Sequence, residues 1–171
     1  FGAFCDCSGL QQVTIKAGFV GESAFIRCTA LRTVTVGSGV TGFGISAFEN
    51  CPGLTGVYIS DLAAWCRIDF GGYLSNPLYG AKRLYLNGVE LTDLQIPDGV
   101  TAISDYAFGD ALSITSVTVP ASVQRIGDYA FYQCSNIRTV NLPTSGLNRI
   151  GASAFDSCTN LGQIAIPDSV S

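Results

Sequence analysis

The stretch Ile126-Gly-Asp-Tyr-Ala-Phe131-Tyr-Gln-Cys134-Ser-Asn-Ile137-Arg-Thr-Val140-Asn-Leu142-Pro143 decides the fold, because its spacing recurs along the chain. Its anchor Ala130-Phe131 repeats as Ala3-Phe4, Ala24-Phe25, Ala47-Phe48, Ala107-Phe108 and Ala154-Phe155, with 21 residues from Phe4 to Phe25 and 24 from Phe131 to Phe155. A period of this length marks one short unit stacked many times, so the chain reads as a solenoid. Three residues after the Phe stand Cys7, Cys28, Cys51, Cys134 and Cys158, with Ala111 in the remaining coil. Six after it stand Leu10, Leu31, Leu54, Ile114, Ile137 and Leu161. Five before it stand Val20, Phe43, Ile103, Ile126 and Ile150. These inward positions form the expected core.

Each unit closes on an apolar-polar-apolar triplet rich in β-branched residues, the pattern of a short strand with one buried face. The triplets are Val13-Thr14-Ile15, Val34-Thr35-Val36, Val57-Tyr58-Ile59, Leu94-Gln95-Ile96, Val117-Thr118-Val119, Val140-Asn141-Leu142 and Ile164-Ala165-Ile166. Pro97, Pro120, Pro143 and Pro167 follow the last four and end the ladder, since proline offers no N–H. Stacking places the strands in parallel at about 4.8 Å. Asp105 and Asp128, three residues before their Phe, are expected to cap single helical turns on the arcs opposite. The fold class expected is an α/β repeat solenoid: a right-handed curved coil with a short-stranded parallel sheet on one face and short helical or 3-10 turns opposite.

The repeat breaks once, between Phe48 and Phe108. Ser60 or Asp61 can cap a short helix that turns Leu62 and Trp65 inward, with Trp65 standing where Phe stands elsewhere. Asn87-Gly88 between alternating apolar runs signals a two-residue hairpin. Residues 60–92 thus read as an enlarged coil within a single solenoid spanning 1–171, with Leu84-Tyr85-Leu86 as a solenoid strand just before Leu94-Gln95-Ile96. Phe1 and Ser171 both fall close to or inside repeat units, so both ends are expected to be cut from a longer array.

These units resemble the BspA-like leucine-rich repeat. The resemblance rests on Ile103-Ser-Asp-Tyr-Ala-Phe108 through Pro120, on Ile126 through Pro143, and on Asp61-Leu-Ala-Ala-Trp-Cys66, Ser75-Asn-Pro-Leu78, Leu84-Tyr-Leu-Asn-Gly88 and Ile96-Pro-Asp-Gly-Val100. It covers essentially the whole chain and is far more specific for fold than for function. It implies a leucine-rich-repeat-like coil in a large secreted or surface-displayed bacterial or protozoan protein, some relatives acting in adhesion to host extracellular proteins. Proline or glycine replaces the asparagine ladder of ordinary leucine-rich repeats after the strand, so ligand analogies with those repeats do not carry over.

Composition and chemistry narrow the function classes. With 47% hydrophobic and 13% charged residues the chain is core-rich rather than disordered. A net charge of −4, with nine basic residues scattered along the chain, gives no basic stripe for nucleic acid. No apolar run reaches the roughly 20 residues that span a bilayer, so no membrane insertion is expected within this stretch. The cysteine ladder reads as free structural thiols in a small buried slot that Ala111 also fills, with Cys5 and Cys66 off the register. The chain has no histidine, so Cys5-Asp-Cys7 lacks the usual companions of a metal site, and no Ser-His-Asp or Cys-His arrangement exists. Carboxylates recur at turn positions, which argues for caps rather than acid-base chemistry. No catalytic residue, cofactor or metal is expected.

What remains is the outward ladder of the strand face: Thr14, Thr35, Tyr58, Tyr85, Gln95, Thr118 and Asn141, with Arg83 beside the tyrosines. Tyr with Arg is the pairing enriched at binding hot spots, although a strand tyrosine also packs across to its neighbour. The leading expectation is a non-enzymatic binding module for an extracellular protein or glycan ligand. The alternatives are a passive spacer in a larger surface protein and, more remotely, a carbohydrate-active enzyme needing paired carboxylates in a groove.

Overall fold

The computed structural model describes residues 1–171. Its strands are β1 (Gln12–Val20), β2 (Thr33–Phe43), β3 (Gly56–Ile59), β4 (Asp69–Phe70), β5 (Leu84–Leu86), β6 (Val89–Glu90), β7 (Asp93–Gln95), β8 (Ala102–Ile103), β9 (Ser116–Thr118), β10 (Arg125–Ile126), β11 (Thr139–Asn141) and β12 (Arg149–Ile150). Two one-turn helices, α1 (Leu62–Trp65) and α2 (Leu78–Ala81), and a 3-10 turn at Tyr73–Ser75 all fall in the break of the repeat. The chain is therefore a β-solenoid with few helices.

The strand triplets stack in parallel register. Thr14 lies opposite Thr35, Thr35 opposite Tyr58, and Tyr58 opposite Tyr85. Farther along, Gln95 pairs with Thr118 and Thr118 with Asn141. A second ladder forms at the apolar position five before each Phe, where β8, β10 and β12 pair in parallel. In the N-terminal coils Lys16 and Gly37 stand where later coils have proline. With no proline to end them, β1 and β2 run through both ladders, kinking at register shifts after Ile15 and Gly18. In the later coils proline cuts the strand and opens a tight turn: Val100 and Val123 donate their N–H to the carbonyls of Pro97 and Pro120. Ile164, Ala165 and Ile166 form no strand, so the first ladder ends at β11.

The core is one cluster of 42 buried residues running the length of the coil. Phe rings stack from coil to coil, Phe4 on Phe25 and Phe25 on Phe48 at 5.2 Å, then Phe108 on Phe131 at 5.3 Å and Phe131 on Phe155 at 5.1 Å. Beside them four of the five buried thiols donate to the Phe carbonyl of the coil before: Cys28 to Phe4, Cys51 to Phe25, Cys134 to Phe108 and Cys158 to Phe131, at 3.0–3.2 Å. All seven cysteines are free. Burial pushes the thiols of Cys51 and Cys158 up to about 11 and that of Cys66 to about 12.

The arcs opposite the strands are not the helical turns expected from the sequence. Each is a pair of tight turns flanking the Phe, with left-handed backbone two residues before and two after it: Ser23 and Arg27, Ser46 and Asn50, Tyr106 and Asp110, Tyr129 and Gln133, Ser153 and Ser157. The cause is a competition for hydrogen bonds. In a helix the amides would point along the arc; here they point along the stack. Tyr106, Phe108 and Asp110 donate to Asp128, Ala130 and Tyr132 of the next coil, and Tyr129, Phe131 and Gln133 do the same one coil later. Three inter-coil bonds per arc offset the roughly 1–2 kcal/mol that each non-glycine residue loses in left-handed backbone.

Asp105 and Asp128 likewise do not cap their own arcs. Asp105 Oδ1 accepts from the backbone N–H of Asp128 at 2.9 Å and from the Arg125 guanidinium, both in the next coil. Asp128 repeats this with Ala152 N–H at 3.0 Å and Arg149 at 3.4 Å. The carboxylate thus fills the space over the following coil, which must carry glycine there: a Cβ on Gly127 would collide with Asp105 Oδ1.

Candidate functional site

The break bends the chain forward before it returns. Asp61 accepts from Ala64 N–H and caps α1. This one turn carries Trp65 to the coil of Phe108, where its indole N–H donates to the Ala107 carbonyl at 2.9 Å. In an ordinary coil that carbonyl position takes the Phe amide of the coil before, as Ala130 does from Phe108. The Trp65 indole therefore supplies the donor that a Phe amide supplies elsewhere, while its ring meets Phe70 edge-on at 5.3 Å. Asn76 supports the same junction, its side chain donating to the carbonyls of Tyr106 and Ala107 at 2.8 and 3.2 Å while its oxygen accepts from Leu78 N–H.

The hairpin then shapes the strand face. Asn87 and Gly88 both adopt positive φ, as a two-residue turn requires, and Val89–Glu90 fold back antiparallel on β5. The return strand takes the edge of β5, so β5 does not pair with β7, and the expected continuous ladder is divided in two. Thr14, Thr35, Tyr58 and Tyr85 fall in the first part; Gln95, Thr118 and Asn141 fall in the second. Tyr58 and Tyr85 stack at 4.6 Å with planes 11° apart. Arg83 is exposed and turned to Glu90 of the hairpin at 3.4 Å. In the second part Asn141 reaches the Thr118 hydroxyl at 3.4 Å, while Gln95 donates to Asp93, which also accepts from Ser116. Four of the eight candidates thus engage one another, and Arg83 and Gln95 engage neighbouring carboxylates.

A second concentration of side chains lies on the arc side. Five of the seven tyrosines gather there in a chain of ring contacts: Tyr106 stacks on Tyr129 at 5.2 Å, Tyr129 meets Tyr132 edge-on, and Tyr73 meets both Tyr132 and Tyr79 edge-on. Beside them the Lys82 ammonium sits 2.5 Å from Oδ1 of buried Asp110 and 5.1 Å over the Tyr79 ring. Asp110 Oδ2 has no hydrogen-bond partner. Burial, reinforced by the neighbouring Asp110 carboxylate, pushes the Tyr73 phenol well above its usual range. At the N-terminal end Arg27 grips Asp6 through two 2.6 Å contacts, which hold the Asp6 carboxyl at about 2. Sequence reasoning placed function on the strand face and passed over this side. The available signal was the tyrosine at the left-handed position of two successive coils, with two more tyrosines in the break.

No three of the Cys, Asp and Glu side chains come together as a metal cluster. No helix is long and apolar enough to cross a membrane.

A family model, the BspA type leucine-rich repeat region, matches residues 1–64 and 81–171 in six copies. It leaves out 65–80, which hold Trp65, Asn76 and Tyr79. No curated protein matches the chain. Among solved structures, a leucine-rich cell surface protein from Faecalibacterium prausnitzii is 24% identical over 99% of this chain and 51% of its own, with a TM-score of 0.61. A leucine-rich repeat protein from Bacteroides ovatus is 22% identical over 99% and 46%, with a TM-score of 0.56. The pneumococcal vaccine antigen PcpA is 20% identical over 94% and 40%, with a TM-score of 0.52. These likenesses show the fold, and the chain spans about half the length of the first two proteins.

Proposed function

Because the chain belongs to the BspA-type leucine-rich repeat family, we propose that it is a non-enzymatic recognition module displayed at a cell surface, binding an extracellular protein through its strand face. The observation that carries this reading is the in-register row Thr14, Thr35, Tyr58 and Tyr85, closed at one end by the hairpin. The row is polar and weakly charged, and it ends on two stacked tyrosines with an arginine within reach. Large, rigid, amphipathic rings of this kind supply contact area at low entropic cost. The similar Faecalibacterium protein is a cell surface protein, which supports the location proposed. Adhesion to host protein is the specific role the family suggests.

A passive spacer is the second reading, and one observation favours it: Tyr58 and Tyr85 are satisfied by each other and Arg83 by Glu90. The two readings separate on an array of secreted extracellular proteins probed with the wild-type chain and with Tyr58→Ala/Tyr85→Ala. Recognition predicts a captured protein whose affinity drops at least tenfold in the double variant, about 1.4 kcal/mol or more. Capture of nothing, or capture indifferent to both tyrosines, refutes recognition by this face.

A further inference from the structure

We propose a second binding surface, on the arc side of the coil, that takes a linear, neutral glycan. It does not depend on the strand-face reading. Two grooves of about 640 and 370 Å³ run along the arcs and meet at Lys82, which lines both. Their walls are built from the residues two and four positions after each Phe. Because the first of these is in left-handed backbone, its side chain is presented at the turn, and one such residue recurs at every coil. The groove is therefore a repeating feature of the stack.

The lining identifies the ligand class. Ser8, Thr29 and Asn50 on one side, and Gln133, Ser135, Ser157 and Thr159 on the other, are short neutral groups. Each hydroxyl or amide both donates and accepts, as sugar hydroxyls do. The charged members are already paired, Asp6 with Arg27 and Asp110 with Lys82, so neither a cationic nor an anionic polymer finds a free counter-charge. Tyr79, from the segment the family model leaves out, supplies an aromatic wall where the two grooves meet.

An extended peptide fits poorly. It would need either apolar side-chain pockets or a free backbone edge. Few of the lining residues are hydrophobic. Much of the arc backbone is also spent, and no continuous edge is left: the N–H groups of Asp6, Arg27, Asp110 and Gln133 all donate to the next coil, and the carbonyls of Asp6, Asp110 and Gln133 accept from Ser8, Leu112 and Ser135. Recognition falls mainly to side chains, at coil spacings of about 4.8 Å.

The test is calorimetric titration of the chain with neutral oligosaccharides of two, four and six residues, taken from β-1,4-glucan, α-1,4-glucan and β-1,4-mannan series. The expected result is saturable binding to at least one series with affinity rising with length, because a longer chain meets more coils. Asn50→Ala and Gln133→Ala each weaken it about 2- to 10-fold, the loss of one side-chain hydrogen bond. Tyr79→Ala weakens it at least tenfold, and Tyr58→Ala leaves it unchanged. Asn50 is exposed and outside the core, so its variant keeps the test valid should Tyr79→Ala unfold the chain. Absence of binding in all three series overturns the proposal. So does binding without length dependence, binding that survives Asn50→Ala and Gln133→Ala together, or displacement of the sugar by an uncharged extended peptide.

Discussion

Replacing Phe131 with alanine tests the central physical claim, that ring stacking along the coil axis holds the rod together. Phe131 is fully buried between Phe108 and Phe155, with planes 9° and 5° from theirs. Phe-to-Ala changes in well-packed cores cost about 3–5 kcal/mol, and loss of two aromatic partners puts this one at the upper end, about 4–5 kcal/mol. Phe4 has one ring partner and keeps 49% of its surface exposed, so the same change there removes about half as much, about 2 kcal/mol. Phe131→Leu retains most of the volume and costs about 1–2 kcal/mol. Urea unfolding followed by Trp65 provides the readout, because it is the only tryptophan and is buried. With a slope near 2–3 kcal/mol per molar, Phe131→Ala lowers the midpoint by about 1.3–2.5 M and Phe4→Ala by under about 1 M. Equal shifts for the two variants, or a shift under about 0.5 M for Phe131→Ala, would refute the stacked-core account.

Gly127→Ala places a methyl against Asp105 Oδ1 and the Asp105 backbone, and is expected to cost about 2–3 kcal/mol, or roughly 4–12 °C in melting temperature. Gly162→Ala, where a Cβ meets nothing within 4 Å, should change it by under about 2 °C, so similar melting points for the pair would discredit the close-approach explanation. The thiols carry the pH prediction. Their folded values of about 11 to 12 lie above the unfolded value near 9, so the fold favours the protonated form. That contribution is complete below pH 9 and is lost as pH rises from 9 through 11–12. Cys51→Ala should accordingly flatten the fall in melting temperature between pH 9 and 11. At pH 8 a thiol reagent should label Cys5 and Cys7 quickly and the five buried thiols only on unfolding; rapid labelling of Cys134 would contradict the buried ladder.

The parts legible in the sequence were those set by side-chain burial. Phe131, Cys134, Ile137 and Val140 repeat because each coil offers the next the same slots, and a repeated slot leaves a repeated letter. The arcs were misread because their conformation is fixed by bonds between coils. Asp128 three residues before a Phe looks like a helix cap when only its own coil is considered; its partner, Ala152 N–H, lies 24 residues ahead. The pattern of Ile164–Ile166 suits a strand, but the segment stands off the free edge of β11 with a gap between them, so no ladder bonds form. Asn87-Gly88 was readable as a turn, whereas the division of the sheet by its return strand was not, since edge capture by β6 depends on where β7 must start. The arc-side groove left almost no trace, because its lining varies from coil to coil and only the left-handed backbone makes those positions a continuous wall.

The divided sheet has a mechanical consequence. No strand hydrogen bond crosses from the coils before the hairpin to those after it. The two stretches are held instead by a seam of individual contacts: Trp65 to Ala107, Asn76 to Tyr106, Ser104 to Cys66, Ser113 to Lys82, and the Lys82–Asp110 ion pair. Tension along the rod is carried within each stretch by many parallel bonds, but at the seam by these few together with the apolar core that runs through it. Under a pull the seam is the compliant joint, where the protein can lengthen or bend while the coils on either side keep their shape.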